Sequence, residues 1–188
     1  METRLRKLAE RTFSLSESEG EDKVISLEEA IRRNVKVGMA LHITAFGALR
    51  EVLRQFWGTK PEFTLIAPLI PLGWTFIHCG LVRKVIFCNV GGRSAAFDRA
   101  YREKSVEFEV WSYATISQRL LAGALGTGFV PTKSMIGTSM AEENAASFQT
   151  MDDPFGSGKK VGIVKALNPD LTIVHGWAAD REGNTILA

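Results

Sequence analysis

Hydrophobic positions recur along this chain with two periods, and the clearest helical one runs from Ala48 to Trp57. Leu49, Val52 and Phe56 fall on one face, while charged residues between them fall on the other. Residues three and four apart share a face of an α-helix, so this spacing predicts an amphipathic helix with its apolar side against a core.

A second helical segment carries a start signal in its sequence. Ser26 is followed three residues later by Glu29, which is the spacing of a capping box, and apolar Ile31 and Val35 continue the pattern. The serine oxygen can accept a hydrogen bond from the backbone of the first turn, so we expect a helix to begin here. The polar segment before it, residues 1–22, is predicted to be a flexible arm in front of one domain covering residues 23–188.

Short apolar runs separate further helical segments. They predict strands at Ala40–Thr44, Phe63–Ala67, Lys84–Asn89, Val106–Trp111, Lys160–Val164 and Leu171–His175, and helices at Phe97–Glu103 and Thr115–Leu125. Alternating strands and helices favour an α/β fold, a parallel or mixed sheet covered by helices on both faces. Ligands bind such sheets at the carboxyl ends of the strands. We therefore expect the site in the loops that follow Ile43, Asn89, Trp111, Val130 and Val174.

One uncharged stretch, Thr64–Val82, is as long as a membrane-spanning helix. Pro68, Pro71 and Gly73 interrupt it, so a strand, a turn and a short buried helix are the better interpretation. The first 23 residues are charged throughout and lack the apolar segment of a signal peptide. These features favour a cytoplasmic protein outside the membrane.

Charge and cysteine content narrow the function further. The 23 Lys+Arg residues nearly balance the 21 Asp+Glu residues, leaving a net charge of +2, which gives no electrostatic reason to expect nucleic acid as a partner. Cys79 and Cys88 stand in apolar surroundings and are expected to be reduced thiols. His42, His78 and His175 are far apart in the sequence, and no metal-ligand spacing is present, so no metal is predicted.

Four blocks of sequence, in order, carry a resemblance to a known family. They are Ser26–Ala30 with Val37–Ala40; Cys79–Gly91; Val110–Ser112 with Arg119–Gly126, Phe129–Lys133 and Gly137–Thr138; and Leu167–Asp170 with His175, Ala179–Asp180 and Gly183–Asn184. Together they resemble the alpha subunit of class I coenzyme A-transferases of the glutaconate CoA-transferase type. The resemblance implies the fold of the CoA-transferase superfamily.

The resemblance also implies a reaction and a partner. Such an enzyme moves coenzyme A from an acyl-CoA to a free carboxylate through a glutamyl-CoA thioester. The attacking glutamate belongs to a homologous beta subunit, so this chain would bind and position the substrate within a hetero-oligomer and carry no catalytic residue itself. Coenzyme A is then a substrate, and the acyl group is open, a dicarboxylic acid being one possibility.

The residues implied to bind substrate or coenzyme A lie in loops after predicted strands. They are Thr44, Ala45, Phe46, Gly91, Gly92, Ser112, Tyr113, Thr132, Lys133, Gly137 and Thr138. Structural roles are open for several of them: Lys133 as a surface cation, Ser112 as a helix cap, and the glycines as tight turns.

Three departures from the family pattern keep alternatives open. Thr44-Ala45-Phe46 stands where active transferases have a Gly-Gly-Phe loop, and Ser112-Tyr113 lacks the glutamate that the family's ring-cleaving hydrolases place there. The chain also continues only four residues beyond Asn184, so we expect a domain shortened at its C-terminus. The alternatives to a transferase are a diverged CoA-thioester hydrolase or lyase, and a catalytically silent binding or scaffold subunit.

Overall fold

Strands and helices alternate through the first two thirds of the chain. The computed structural model describes residues 22–68, 73–89 and 94–187. The elements in order are α1 (Leu27–Asn34), β1 (Ala40–Ile43), α2 (Phe46–Phe56), β2 (Phe63–Ile66), α3 (Gly73–His78), β3 (Val82–Phe87), α4 (Ala95–Glu103), β4 (Glu107–Val110), α5 (Tyr113–Ala124), β5 (Phe129–Thr132), α6 (Ser139–Glu143), β6 (Phe148–Asp152), β7 (Lys160–Lys165), β8 (Leu171–Ile173), β9 (Gly176–Ala179) and β10 (Thr185–Leu187). The predicted N-terminal arm, apart from Asp22, and the predicted site residues Gly91 and Gly92 lie outside the described ranges.

A parallel sheet of five strands forms the centre, in the order β4-β3-β2-β1-β8. Leu41 of β1 pairs with Leu65 of β2 on one side and with Leu171 of β8 on the other. Parallel neighbours need a crossover between them, and the intervening helices provide it. The α/β fold predicted from the alternating pattern is confirmed.

The two faces of this sheet are covered by different helices. Leu41, Leu65 and Val85 belong to one buried cluster, which includes residues of α1, α2, α3 and α4. Ile66 and Ile86 point to the opposite face and pack in a second cluster with residues of α5. This division follows from the alternation of side chains along a strand.

Serine caps set the start of two helices. Ser26 Oγ accepts from the Glu29 backbone N–H at 3.1 Å, which confirms the start predicted from the capping box. Ser112 Oγ accepts from the Thr115 N–H at 3.1 Å, so α5 begins at Tyr113, two residues earlier than its apolar pattern predicted.

The late strand β8 differs from its prediction. It ends at Ile173, whereas the sequence predicted a strand to His175, and Val174 is exposed. The reason is its position at the edge of the parallel sheet, where β1 is its neighbour. Asp170 fixes that pairing, because its Oδ2 accepts from the Ala40 N–H at 2.7 Å and its own N–H donates to the Ala40 carbonyl at 2.8 Å.

A separate antiparallel sheet, in the order β5-β7-β6, packs beside α5. The strand predicted at Lys160–Val164 is present, but it pairs antiparallel with β5 and β6 rather than joining the parallel sheet. Phe129 at the start of β5 has a largely exposed side chain. The first residue of a short strand at the border of a small sheet has little structure above it to exclude water.

The uncharged stretch Thr64–Val82 contains most of β2, the six-residue helix α3 and the first residue of β3. This agrees with the strand, turn and short helix predicted for it, as far as the described residues reach. Within the described parts of the chain, every helix is too short or too polar to cross a membrane.

Candidate functional site

A cavity of about 440 Å³ opens at the carboxyl ends of β1 and β2. The beginning of α2 and one face of α5 complete its wall. Much of that wall is apolar, contributed by Ile43, Phe46, Leu49, Leu65, Ala67 and Leu120. Its volume lies in the range of roughly 300–1,000 Å³ found for small-molecule sites. Its position is the one where α/β sheets bind ligands.

Four polar side chains interrupt the apolar wall: His42, Thr44, Tyr113 and Ser117. Thr44 Oγ1 donates to the Ile173 carbonyl at 3.2 Å, and Ser117 Oγ donates to the Tyr113 carbonyl at 3.0 Å. Burial lowers the pKa of His42, so its imidazole is uncharged at neutral pH. Among the described residues, no Lys, Arg, Asp or Glu side chain lines this cavity.

The N-terminus of α2 lies beside the same cavity, because both Thr44 and Phe46 line it. Ala45 is the N-cap residue, in an extended conformation with φ −100°, and its side chain offers no acceptor. The first N–H groups of a helix have no partner within the helix, and they carry a partial positive charge. The end of α2 therefore provides donors for an anion or a polarised carbonyl oxygen.

The loop after β5 is held by local hydrogen bonds and by one buried side chain. Thr132 is buried and its Oγ1 accepts from the Ser134 N–H at 3.1 Å. Thr138 Oγ1 caps α6 by accepting from the Ala141 N–H at 3.3 Å, and Gly137 has φ +74°, a conformation that favours glycine. Met135 holds the loop in the second buried cluster.

A largely buried network of ionic and hydrogen-bonding groups connects α5 to the neighbouring strands. Arg119 Nη1 donates to Glu109 Oε1 at 2.7 Å, and its Nε donates to the Lys165 carbonyl at 2.9 Å. The Trp111 indole donates to the same Glu109 oxygen at 2.6 Å, and Lys84 pairs with Oε2. Burial alone would raise the pKa of Glu109, but bonds from Lys84, Arg119 and Trp111 outweigh it and the pKa is lowered. The network ties α5, and with it the cavity wall, to β4 and β7.

Similarity to known proteins extends over almost the whole described chain. Residues 24–187 match the family model described as Coenzyme A transferase. The chain belongs to the coenzyme A transferase family. The resemblance found in the four sequence blocks is thereby confirmed.

Relatives within this family share both sequence and fold with the chain. The A subunit of 3-oxoadipate CoA-transferase from Pseudomonas knackmussii is 28% identical, covering 88% of this chain and 62% of its own length. The structure of glutaconate coenzyme A-transferase from Acidaminococcus fermentans has a TM-score of 0.74 at 25% identity, covering 88% of this chain and 60% of that one. A variant of the decarboxylase AibA/AibB has a TM-score of 0.71 at 25% identity, covering 86% and 64%. The chain thus spans less than two thirds of the length of these relatives.

Some of the site residues predicted for this member of the coenzyme A transferase family come together at the cavity. Thr44, Phe46 and Tyr113 line it, and Ala45 stands at its edge as the cap of α2. Ser112 is the cap of α5, and its Oγ lies 2.6 Å from Thr115 Oγ1. The other four described positions are outside the cavity wall, grouped in the loop after β5: Thr132, Lys133, Gly137 and Thr138.

Nine of the described lining residues were missed by the sequence reasoning, and three of these nine are His42, Ser117 and Leu120. For two of them a signal exists. Tyr113, Ser117 and Leu120 are four and three residues apart on α5, so a predicted site at Tyr113 implies the same face for the others. His42 has no such signal, because its place in the wall depends on how α5 crosses β1.

The side chains suited to metal or thiol chemistry are dispersed. In the described ranges, no three His, Cys, Asp or Glu side chains come together as a metal site. Cys79 and Cys88 are free thiols, and burial raises the pKa of both.

Proposed function

We propose that this chain is the alpha-type subunit of a coenzyme A transferase, which moves coenzyme A between an acyl-CoA and a carboxylic acid. In this proposal a homologous beta subunit carries the nucleophilic glutamate, and the two form a cytoplasmic hetero-oligomer. The observation that carries it is the cavity at the ends of β1 and β2, in a chain matched to the family over residues 24–187.

The cavity is suited to the acyl part of a thioester. Its apolar wall removes an aliphatic chain from water, which stabilises binding by about 25 cal/mol for each Å² buried. The start of α2 then lies where a thioester carbonyl oxygen would need hydrogen-bond donors. Backbone N–H groups at Phe46 and Gly47 supply them here without the glycine pair that the family's active transferases have.

The reaction proceeds by exchange of acyl bonds on the partner's glutamate. The carboxylate attacks the thioester carbonyl carbon, and the C–S bond breaks to release CoA thiolate with a mixed anhydride. The thiolate attacks the glutamyl carbonyl, releasing the first acid and forming the glutamyl-CoA thioester. The acceptor carboxylate then takes the coenzyme A by the reverse steps. This chain binds the acyl group and stabilises the oxyanions formed in each attack.

The residues outside the cavity wall belong to the proposal as contacts of the coenzyme A portion. Lys133 is an exposed cation on the loop after β5, and the pantetheine and phosphates of an acyl-CoA extend outward from a buried acyl group. We assign the same role to Gly91, Gly92, Ser112, Thr132, Gly137 and Thr138.

A partner surface is supported by exposed apolar side chains near the late elements. Val174, Trp177 and Leu187 are large and mostly exposed, with the Trp177 side chain 75% exposed. Large exposed apolar groups that lie close together mark interaction surfaces. We expect the beta subunit to cover part of this region.

A lyase is the second candidate, and one observation favours it. A solved relative at 25% identity is named a decarboxylase, so this fold also supports loss of CO₂. Thr44-Ala45 replaces the glycine pair at the start of α2, where CoA transfer and decarboxylation would need different hydrogen-bond donors.

The decisive experiment is purification of the tagged chain with its beta subunit, followed by assays for both reactions. We expect coenzyme A exchange between an acyl-CoA and a carboxylate, and borohydride trapping of a glutamyl thioester on the partner. Release of CO₂ from a carboxyacyl-CoA without an acceptor would identify a lyase instead. If the complex has neither activity, both the transferase and the lyase proposals are wrong, and the catalytically silent scaffold subunit is the remaining alternative.

A matched pair of variants ties activity to the cavity. Ser117→Trp places an indole at the cavity wall, whereas Ala114→Trp places one on an exposed part of the same helix outside that wall. We expect the first to lower kcat/KM by about tenfold or more and the second to retain it. Equal loss in both would separate the activity from this cavity.

A further inference from the structure

The cavity wall has a chemical bias that bears on the substrate. Its polar side chains are two hydroxyls and a phenol, at Thr44, Ser117 and Tyr113, together with the imidazole of His42. In the described wall, none of the groups carries a formal positive charge at neutral pH. The described wall therefore offers hydrogen bonds for an uncharged group but no side-chain cation for a second carboxylate.

Two arginines on the helices that line the cavity are engaged elsewhere. Arg119 precedes the lining residue Leu120 on α5, but its guanidinium is buried, 4.1 Å from the Trp111 ring centre, and bonded to Glu109 and a backbone carbonyl. Releasing it would leave Glu109 without one of its partners. Arg54 on α2 is on the outer face, where it pairs with Glu51.

Burial of an unpaired carboxylate is costly. Moving an ionised group out of water is strongly unfavourable even after relaxation, and the cost is recovered only with a cation and further hydrogen bonds. An aliphatic end group of the same size gains instead from the apolar wall. The difference is large enough to determine which acyl groups are accepted.

We propose that this cavity selects acyl groups with an uncharged aliphatic distal end and discriminates against acyl groups that end in a second carboxylate. Two relatives are named for 3-oxoadipate and glutaconate, which are dicarboxylates, so the specificity differs from theirs. The inference rests on the proposed function and concerns the substrate class of the same site.

The test compares two thioesters of equal length, pentanoyl-CoA and glutaryl-CoA, with the complex of this chain and its beta subunit. Both kcat/KM for exchange with acetate and the dissociation constant without acceptor are measured. We expect pentanoyl-CoA to be preferred by about tenfold or more in each measurement. Equal values, or a preference for glutaryl-CoA, overturn the inference.

Two variants at Ser117 test whether the lack of a cation in the described wall causes the preference for pentanoyl-CoA. Ser117→Arg introduces a cation at the wall, and Ser117→Gln introduces a side chain of comparable reach without charge. We expect the arginine to reduce the preference for pentanoyl-CoA at least severalfold and the glutamine to retain most of it. Similar effects of both variants would attribute the selectivity to size and count against the inference.

The binding measurement separates this inference from the proposed function. Absence of exchange with either thioester, together with tighter binding of pentanoyl-CoA, overturns the transferase proposal and supports the selectivity. Exchange with glutaryl-CoA as the better substrate supports the transferase and overturns the selectivity. Absence of binding by both thioesters overturns both.

Discussion

The guanidinium of Arg119 lies over the Trp111 ring, 4.1 Å from its centre. Its side chain is 4% exposed, and Glu109 accepts from its Nη1. The Arg119 guanidinium therefore makes a cation–π contact, an ion pair and a hydrogen bond to a backbone carbonyl. These interactions join α5 to β4 and β7.

Replacing Arg119 by methionine is expected to destabilise the protein by about 3 kcal/mol, because Glu109 stays buried with Lys84 as its remaining cation. Arg119→Lys should recover little of the lost stability. A lysine cannot keep the bonds to both Glu109 and the Lys165 carbonyl while it stacks on the indole. Urea unfolding measures these changes. The control is Arg54→Met, which removes an arginine that lies largely in solvent and should destabilise the protein much less than Arg119→Met does. Equal effects at both positions would contradict the role assigned to the network.

The same network predicts a pH dependence. The pKa of Glu109 is lowered in the folded state, so its contribution is complete above the unfolded value and is lost as pH falls through the folded pKa. We expect the free energy of unfolding of the wild type to decline more steeply below about pH 5 than that of Glu109→Gln.

Glu29 provides the matched control for that experiment. Bonds from Arg32 and Arg33 lower its pKa too, but both of these arginines are exposed to solvent. High salt should screen the contribution of Glu29 and leave that of Glu109 largely unchanged, because buried pairs are screened less. If the stabilities of Glu29→Gln and Glu109→Gln depend on salt in the same way, the network around Glu109 is not buried.

A close contact near the end of α5 gives a stability prediction. A Cβ at Gly123 would lie 2.6 Å from the Leu167 carbonyl oxygen, a backbone atom that cannot rotate away. Alanine is favoured over glycine within a helix by about 1 kcal/mol, but overpacking costs about 1–3 kcal/mol. We therefore expect Gly123→Ala to be destabilising in thermal unfolding. Gly128→Ala, where a Cβ meets nothing within 4 Å, should be close to neutral; a stabilising Gly123→Ala would mean that the loop at Leu167 can move.

Local patterns predicted the strands of the parallel sheet and the helices that cover it, but not α6, β6, β9 and β10. The capping box at Ser26 and the apolar face of α2 depend on residues within a few positions of each other, and both are seen in the structure. The antiparallel strand β6 and the edge position of β8 were missed or misread, since strand pairing depends on residues far away in the chain. Alternation alone cannot say which strand lacks a second neighbour.

The candidate site shows the same limit. Thr44 and Phe46 were found from the resemblance, and α5 spacing could have added Ser117. His42 was interpreted as one of three isolated histidines, because its position in the wall is set by the crossing of α5 over β1. The lack of charged side chains among the described wall residues is likewise a property of residues that meet only in the folded chain.

The proposed oxyanion role of α2 is tested at its first residue, Phe46. Proline is accepted at the first helical position, and Ala45 before it already has the extended backbone that proline requires. Phe46→Pro therefore removes the N–H donor with little change to the helix. Phe46→Ala keeps the donor and removes the aromatic ring from the cavity wall.

The difference between the two variants isolates the backbone donor from the side chain. Loss of one oxyanion donor typically lowers kcat by about 10²–10³-fold, so we expect Phe46→Pro to be at least about tenfold slower than Phe46→Ala in coenzyme A exchange. Circular dichroism of both variants in the complex checks that α2 is retained. If the two are equally slow and equally folded, the N–H of Phe46 contributes nothing to the transition state. The altered Thr44-Ala45 loop would then have lost the oxyanion function, and the contribution of α2 would be confined to packing the acyl group.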